Sequence, residues 1–137
     1  MGADFAEGFD APTVTDVAAG SVMVMDDDSG LTVSSSAYDT KVAGVVSGAG
    51  DLRPGVLLDQ GGDQAGRVPI ALVGKVYTWV DADFGEVRVG DLLTTSPVPG
   101  HAMKASDPAR AFGAVVGKAM QPLAGGRALI RVLVSLQ

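Results

Sequence analysis

Short apolar stretches separated by turns rich in glycine and aspartate recur along the whole chain, a pattern typical of β-strands joined by tight loops. Residues 22–25 and 31–33 are predicted to form a hairpin, and residues 41–46 a buried strand. The longest apolar run, residues 69–80, is rich in β-branched and aromatic residues and is interrupted by glycine, which favours a central strand over a helix. The pattern therefore predicts an all-β protein.

The second half of the chain continues in the same way. Short strands are predicted at residues 87–94 and 102–104, and residues 113–120 and 128–136 are predicted to pair as a hairpin. Between them, Ser106 is predicted to cap a single helical turn that starts at Asp107-Pro108. This turn is the one helical segment predicted in the second half.

The second half also repeats the first. Gly20–Gly30 aligns with Gly90–Gly100 at an offset of 70 residues, and after a one-residue slip Val42–Gly48 falls on Ala111–Gly117, which matches Gly44 with Gly113. Glycines that keep their spacing while their neighbours change indicate fixed backbone geometry. The repeat predicts a compact, pseudo-twofold β-barrel-like domain built from two similar strand-turn-strand halves.

At 137 residues the chain is predicted to be a single β domain. Residues 1–13 are an N-terminal arm, extended or coiled into one helical turn; residues 14–47 are the first half, 48–68 an irregular connection, and 69–137 the central strand and second half. The residues predicted to shape structural turns and close backbone contacts are Gly20, Gly30, Gly44, Gly90, Asp91, Gly100 and Gly113.

Composition removes several classes of function. The absence of cysteine rules out disulfides and thiolate chemistry, and a net charge of -6 without clustered Lys or Arg argues against nucleic-acid binding. No apolar stretch is long enough for a membrane span.

The Asp26-Asp27-Asp28 turn and the Asp59/Asp63 segment resemble fragments of calcium loops, but no distal Glu completes the first, so a solvated turn is the favoured interpretation. No metal site and no cofactor are predicted.

Few residues suggest catalysis. His101 is the single histidine, so a Ser-His site would have to use it, with Ser96 as the nearby hydroxyl and Ser21 as a further candidate. The alternative interpretation is a surface histidine beside a turn glycine. Tyr77 and Trp79 lie on one face of a predicted strand, where they could contact a sugar or a partner, although such rings more often fill a core or a subunit contact.

Several motifs together resemble a known family. They are residues 3–7, 19–24, 38–47, 73–76, 117–119 and the run Gly90-Asp-Leu-Leu-Thr-Thr-Ser-Pro-Val-Pro-Gly-His-Ala-Met-Lys104. These motifs look like the small β-rich domain at the C-terminal end of phage tail-fibre-like and neck-appendage-like proteins. The resemblance implies a structural module of a virion or extracellular fibre that assembles as a homo-oligomer, commonly a trimer, attached to a parent fibre-like chain. Some relatives are intramolecular chaperones that cleave themselves off.

The leading hypothesis is therefore a non-enzymatic domain for oligomerisation. One alternative is a self-cleaving chaperone domain, which would need a Ser or Thr hydroxyl because the chain has neither Cys nor Asn; Ser21, Thr95 and Ser96 are the candidates. A second alternative is a carbohydrate-binding module that uses Tyr77 and Trp79. No nucleic-acid or membrane partner is expected.

Overall fold

The computed structural model of this chain describes residues 4–10, 17–28, 30–50, 56–57 and 67–137, and its side chains at 17–28, 30–50 and 69–137. A 3₁₀ turn spans Ala82–Phe84, and a short helix, α1, spans Pro108–Ala111. The strands are β1 Asp4–Asp10, β2 Val22–Met25, β3 Leu31–Val33, β4 Val42–Val46, β5 Val56–Leu57, β6 Arg67–Asp81, β7 Leu92–Thr95, β8 Ala102–Lys104, β9 Val115–Ala119 and β10 Arg127–Ser135. The predicted all-β class is confirmed. Asp59, Asp63 and most of the predicted irregular connection lie outside the described residues.

Five strands close into a mixed barrel in the order β6-β10-β9-β7-β8 and back to β6. The longest contact in this ring is the antiparallel ladder between β6 and β10, which runs from the pair Asp81 and Arg127 to the pair Val73 and Ser135. The ring is completed by a parallel contact between β8 and β6 at Ala102 and Val80. The predicted barrel is therefore confirmed.

Three outer strands continue the sheet from the other end of β6. Val45 of β4 pairs with Ala71 of β6, β2 pairs with β4, and β3 pairs with β2 as a hairpin. Strand β1 also pairs with the first half of β6 and carries β5 along its other edge, so residues 4–10 of the N-terminal arm are extended rather than helical. The 15 residues of β6 thus serve both the barrel and the outer sheet.

Alternation along β6 and β10 decides which side chains fill the barrel. Val76 and Val80 of β6 and Val132 and Val134 of β10 are almost completely buried in the main core, as their spacing of two or four residues requires. A second, smaller core lies under the outer strands and consists of Met23, Leu31, Val46 and Ile70. Strands β2, β4 and β6 contribute to both cores, because alternate side chains such as Val22 and Met23 point to opposite faces of the sheet.

The strand triplet β2-β3-β4 has the same pairing pattern as β7-β8-β9. In both triplets the first strand has the other two as antiparallel neighbours, with a register shift after Met23 in one and after Leu93 in the other. Gly44 lies opposite Met23, and Gly117 lies opposite Leu93. Gly117 therefore has the place in the second triplet that Gly44 has in the first, whereas the sequence alignment pairs Gly44 with Gly113.

The helical turn begins one residue later than predicted. Asp107, not Ser106, is the residue that caps α1, because its Oδ1 accepts a hydrogen bond of 3.1 Å from the backbone N–H of Ala109. Pro108 then occupies the first helical position, where its missing N–H costs nothing. An aspartate before a proline is the stronger cap of the two candidates in this sequence.

Replacing Gly117 with alanine should destabilise the protein strongly. A Cβ at this position would collide with the backbone carbonyl of Leu133, which cannot move without opening the β9-β10 ladder. We expect a loss of about 2–3 kcal/mol of unfolding free energy, measured by urea denaturation. Gly125→Ala is the control, because the nearest atom to its Cβ would be 3.8 Å away. Equal stability of the two variants would contradict the close approach at Gly117.

Candidate functional site

The hydroxyl of Ser96 is bound to the backbone of its own turn. Ser96 Oγ lies 2.7 Å from the carbonyl oxygen of His101 and accepts a hydrogen bond of 3.2 Å from the N–H of Val98. The imidazole of His101 is engaged elsewhere: its Nδ1 lies 2.8 Å from the carbonyl oxygen of Pro99, and its ring centroid is 5.4 Å from that of Trp79. The hydroxyl therefore contacts the main chain of His101 and not the ring that would have to activate it.

In the turn between β2 and β3, Asp26 has the position that Ser96 has in the turn between β7 and β8. Its Oδ1 accepts hydrogen bonds of 2.8 Å from the N–H of Asp28 and 2.9 Å from that of Gly30, so it folds the turn as Ser96 folds the other. Asp27 and Asp28 remain exposed. Among the described residues, no three His, Asp or Glu side chains are grouped so that they could hold a metal ion. This arrangement agrees with the interpretation of residues 26–28 as a solvated turn.

The other two candidate hydroxyls lie in separate structural contacts. Ser21 is buried against Gly100, and its carbonyl oxygen accepts a hydrogen bond from Val46 N. Thr95 Oγ1 donates to the carbonyl oxygen of Ser36 and accepts from the N–H of Asp39, both at 2.7 Å. Thr95 thereby holds the loop that follows β3 against β7. No hydrogen bond joins the three candidates to one another or to the imidazole.

The glycines predicted from the repeat are found in turns and, for Gly44, within strand β4. Gly20 and Gly90 have φ values of 91° and 93°, a region that favours glycine, and Asp91 Oδ2 accepts a 2.8 Å hydrogen bond from Arg88 N while lying 3.5 Å from Lys104 Nζ. The carbonyl oxygen of Gly30 closes its turn by accepting from Asp26 N. Positive φ is also found at Gly44, Gly100 and Gly113.

Tyr77 and Trp79 do lie on one face of β6, but that face is partly covered. Both side chains are half-buried; the backbone at Gly50 lies against the ring of Tyr77, and Gly20 lies beside Trp79. The N–H of Trp79 also donates to the carbonyl oxygen of Gly20. Rings covered in this way expose less of their faces than an open sugar-stacking platform does.

A surface that the sequence did not indicate surrounds α1. Phe112 is 91% exposed, the most exposed large apolar side chain of the described residues. This exposure results from the local turn. Ala111 is buried and its carbonyl oxygen accepts a hydrogen bond from Ala114 N, so Phe112 lies at the outer corner. Beside it lies an open depression of about 290 Å³, lined by Leu92, Pro108, Ala111, Phe112, Gly113, Val115 and Gln137.

This corner is held firmly in place. Asp107 N, at the start of α1, donates a 3.0 Å hydrogen bond to the hydroxyl of Tyr38, and the guanidinium of Arg110 lies 4.4 Å from the centroid of the same ring. The loop after β3 therefore braces α1, so Phe112 is presented from a fixed support.

From the depression, a row of exposed side chains crosses the barrel surface. Leu92 of β7, Lys118 of β9 and Leu133 of β10 are neighbours in register, and Lys75 of β6 continues the row. Leu92 and Leu133 are 36% and 42% exposed, and the aliphatic stem of Lys118 lies between them. We call Leu92, Phe112, Leu133 and the depression the apolar face.

Comparison of the chain with protein-family models, curated proteins and solved structures finds no match. The resemblance to the C-terminal domain of fibre-like proteins stays a prediction from its motifs. No helix in the described part of the chain is long and apolar enough to cross a membrane.

Phe112 was given no role by the sequence. It lies just before the strand predicted at residues 113–120, and in the structure it is at the corner after α1. A signal was present: Asp107-Pro108 is a strong helix start, and Gly113, with φ of 79°, is a helix-ending glycine. Together they mark residues 108–112 as one short turn rather than the start of a strand.

Ser96→Ala should lower stability. The substitution removes a buried hydroxyl that binds one carbonyl oxygen and one N–H of the same turn, so we expect a loss of about 1 kcal/mol in unfolding free energy by urea denaturation. Ser106→Ala, at an exposed serine, is the matched control and should change little. A Ser96→Ala variant as stable as the control would argue against the structural role.

Proposed function

We propose that this chain is a non-enzymatic assembly domain that associates with copies of itself through the apolar face. The observation that carries the proposal is Phe112, a 91% exposed aromatic side chain on a braced corner beside an apolar depression. Burying an aromatic side chain of this kind is worth about 1.5–3 kcal/mol. Exposed apolar patches with a nearby concavity are common at protein interfaces.

The polar residues support the same conclusion. The hydroxyls of Ser96 and Thr95 are used in hydrogen bonds to backbone groups, and Asp91 binds the backbone of its own turn. Asp81, which is 2% exposed, is likewise bound to Arg127 Nε at 2.9 Å and to the N–H of Asp83 at 2.8 Å. These groups hold loops to strands, as expected of a structural domain.

The resemblance to fibre and appendage domains supports two further parts of the proposal. A homotrimer is the expected assembly, and a parent fibre-like chain is the expected attachment. Phe112 and the depression are adjacent on one copy, and both can contact the apolar face of another copy. The apolar face is therefore compatible with either a closed ring or a twofold contact. Because the apolar face is compatible with both geometries, the resemblance is what makes the trimer the specific form that we propose.

We infer in addition that the domain is a duplicated unit related by a pseudo-twofold axis. The hydrogen bond from Gly20 N to Val46 O, 2.8 Å, has its counterpart from Gly90 N to Ala119 O, also 2.8 Å. A second pair supports the same relation: Val46 N to Ser21 O and Ala119 N to Asp91 O are both 2.9 Å.

The two units differ at one edge. Ala102 of β8 has Val80 of β6 as a parallel neighbour, whereas β3, the counterpart of β8, pairs with β2 alone among the described strands. The unit that contains β7, β8 and β9 is therefore closed by β6. The unit that contains β2, β3 and β4 remains an open extension of the sheet.

Self-association should depend on Phe112. Light scattering coupled to gel filtration should give the unsubstituted chain a mass near three times the 13.8 kDa of one copy. Phe112→Ser should weaken assembly about 10- to 100-fold in dissociation constant, because it removes the apolar side chain buried at the contact.

Phe84→Ser is the matched control, since Phe84 is 48% exposed on the 3₁₀ turn and does not line the depression. It should assemble normally. An unsubstituted chain that stays monomeric at millimolar concentration would contradict the proposed function.

A further inference from the structure

The barrel surface around Leu133 carries an unusual concentration of positive charge for this chain. Lys75 and Lys118 are its neighbours in register, and Arg131 lies two residues away on the same face of β10. Lys118 and Arg131 are exposed, and no described acidic side chain forms an ion pair with any of the three cations. We call Lys75, Lys118, Arg131 and Leu133 the basic face; it adjoins the apolar face at Leu133.

Three other cations of the described chain are already engaged. Lys104 lies 3.5 Å from Asp91, Arg127 lies 2.9 Å from Asp81, and Arg110 lies over the ring of Tyr38. The whole chain nevertheless has a net charge of -6. The basic face is therefore a local exception whose charge is not neutralised within the described structure.

The β2-β3 turn has the complementary character. Asp26 is committed to folding the turn, which leaves the carboxylates of Asp27 and Asp28 exposed at its tip. Met25, immediately before the turn, is 49% exposed. The tip thus offers two unpaired negative charges beside an apolar side chain, while the basic face offers positive charges around an exposed leucine.

These two surfaces lie on different parts of one chain. The basic face is on the closed barrel, where β10 pairs with β6, whereas the acidic turn joins β2 and β3 at the end of the outer strands β4-β2-β3. No hydrogen bond or ion pair between described residues connects them. Within the described part of the chain, neither surface is neutralised by the other.

We propose that the acidic turn of one copy docks on the basic face of a second copy, with Met25 against Leu133. This inference rests on the proposed self-association and names the contact that directs it. Because two copies that each carry a charge of -6 repel at long range, a productive encounter requires an orientation that brings opposite charges together.

Such a contact is head-to-tail, since it joins different surfaces of the two copies. Each added copy leaves one turn and one face free until the ring closes. A ring of three copies would leave no turn and no face free, and it is the closed form proposed above.

Charge reversal tests the contact. Asp27→Lys with Asp28→Lys makes the turn basic, and Lys118→Glu with Arg131→Glu makes the face acidic; each double variant should weaken assembly about tenfold or more. Asp26 is kept because it folds the turn. Combining all four substitutions restores opposite charges and should restore assembly. Arg88→Glu, at an exposed position outside the basic face, is the control and should assemble normally.

Salt titration is a poorer test, since salt also screens the repulsion between the two net negative chains. A cross-link tests directly whether the two surfaces meet. The chain has no cysteine, so Asp28→Cys and Lys118→Cys each provide one defined thiol. Mixing the two single variants under mild oxidation should give a disulfide-linked pair that outnumbers the pairs formed by either variant alone.

The outcomes separate the two proposals. If both charge-reversed variants assemble normally, or if the four-fold variant does not recover, the docking contact is wrong. The same conclusion follows if the mixed thiol variants give no excess cross-link. In these cases a Phe112→Ser variant that dissociates leaves the proposed function intact. If the unsubstituted chain is monomeric, the proposed function fails, and the docking contact fails with it.

Discussion

The ladder between β6 and β10 is the contact on which the rest of the structure depends. It closes the barrel through an unbroken antiparallel register from Asp81 and Arg127 to Val73 and Ser135. A shift of one residue would exchange Val132 and Val134 for Arg131 and Leu133 in the core. The same register that buries the valines therefore also places Leu133 between Lys75 and Lys118. Core and surface chemistry are two consequences of one pairing.

Strand type could be predicted from the sequence, but the register of the repeat could not. Apolar alternation is a property of each segment by itself, so the strands at residues 22–25, 69–80 and 128–136 were recognisable. The match between Gly44 and Gly117 depends instead on close approach to a carbonyl oxygen of the neighbouring strand. The loop at residues 105–114, with its helical turn, is longer than the loop at 34–41, and this difference misled the alignment toward Gly113.

Whether Ser96 and His101 form a catalytic pair could not be decided from the sequence either. Ser96 and His101 are five positions apart in a turn, and the sequence cannot distinguish a hydroxyl that faces an imidazole from one that faces a main-chain carbonyl. Every residue supplies a carbonyl, so the acceptor leaves no mark in the sequence. Asp26 in the equivalent turn was the available clue, because residues with side-chain oxygens at the same place in two turns point to a shared structural task.

The cations around Leu133 also explain how an exposed apolar surface can exist on a stable free chain. Leucines on the outside of a sheet invite unspecific contacts with other apolar surfaces, and lysine or arginine beside them makes such contacts costly because the charge would lose its water. A partner that brings carboxylates removes this cost. The cations of the basic face thus disfavour contacts with unrelated surfaces and favour an acidic partner. In the proposed docking contact, charge supplies the selectivity and the apolar side chains supply the affinity.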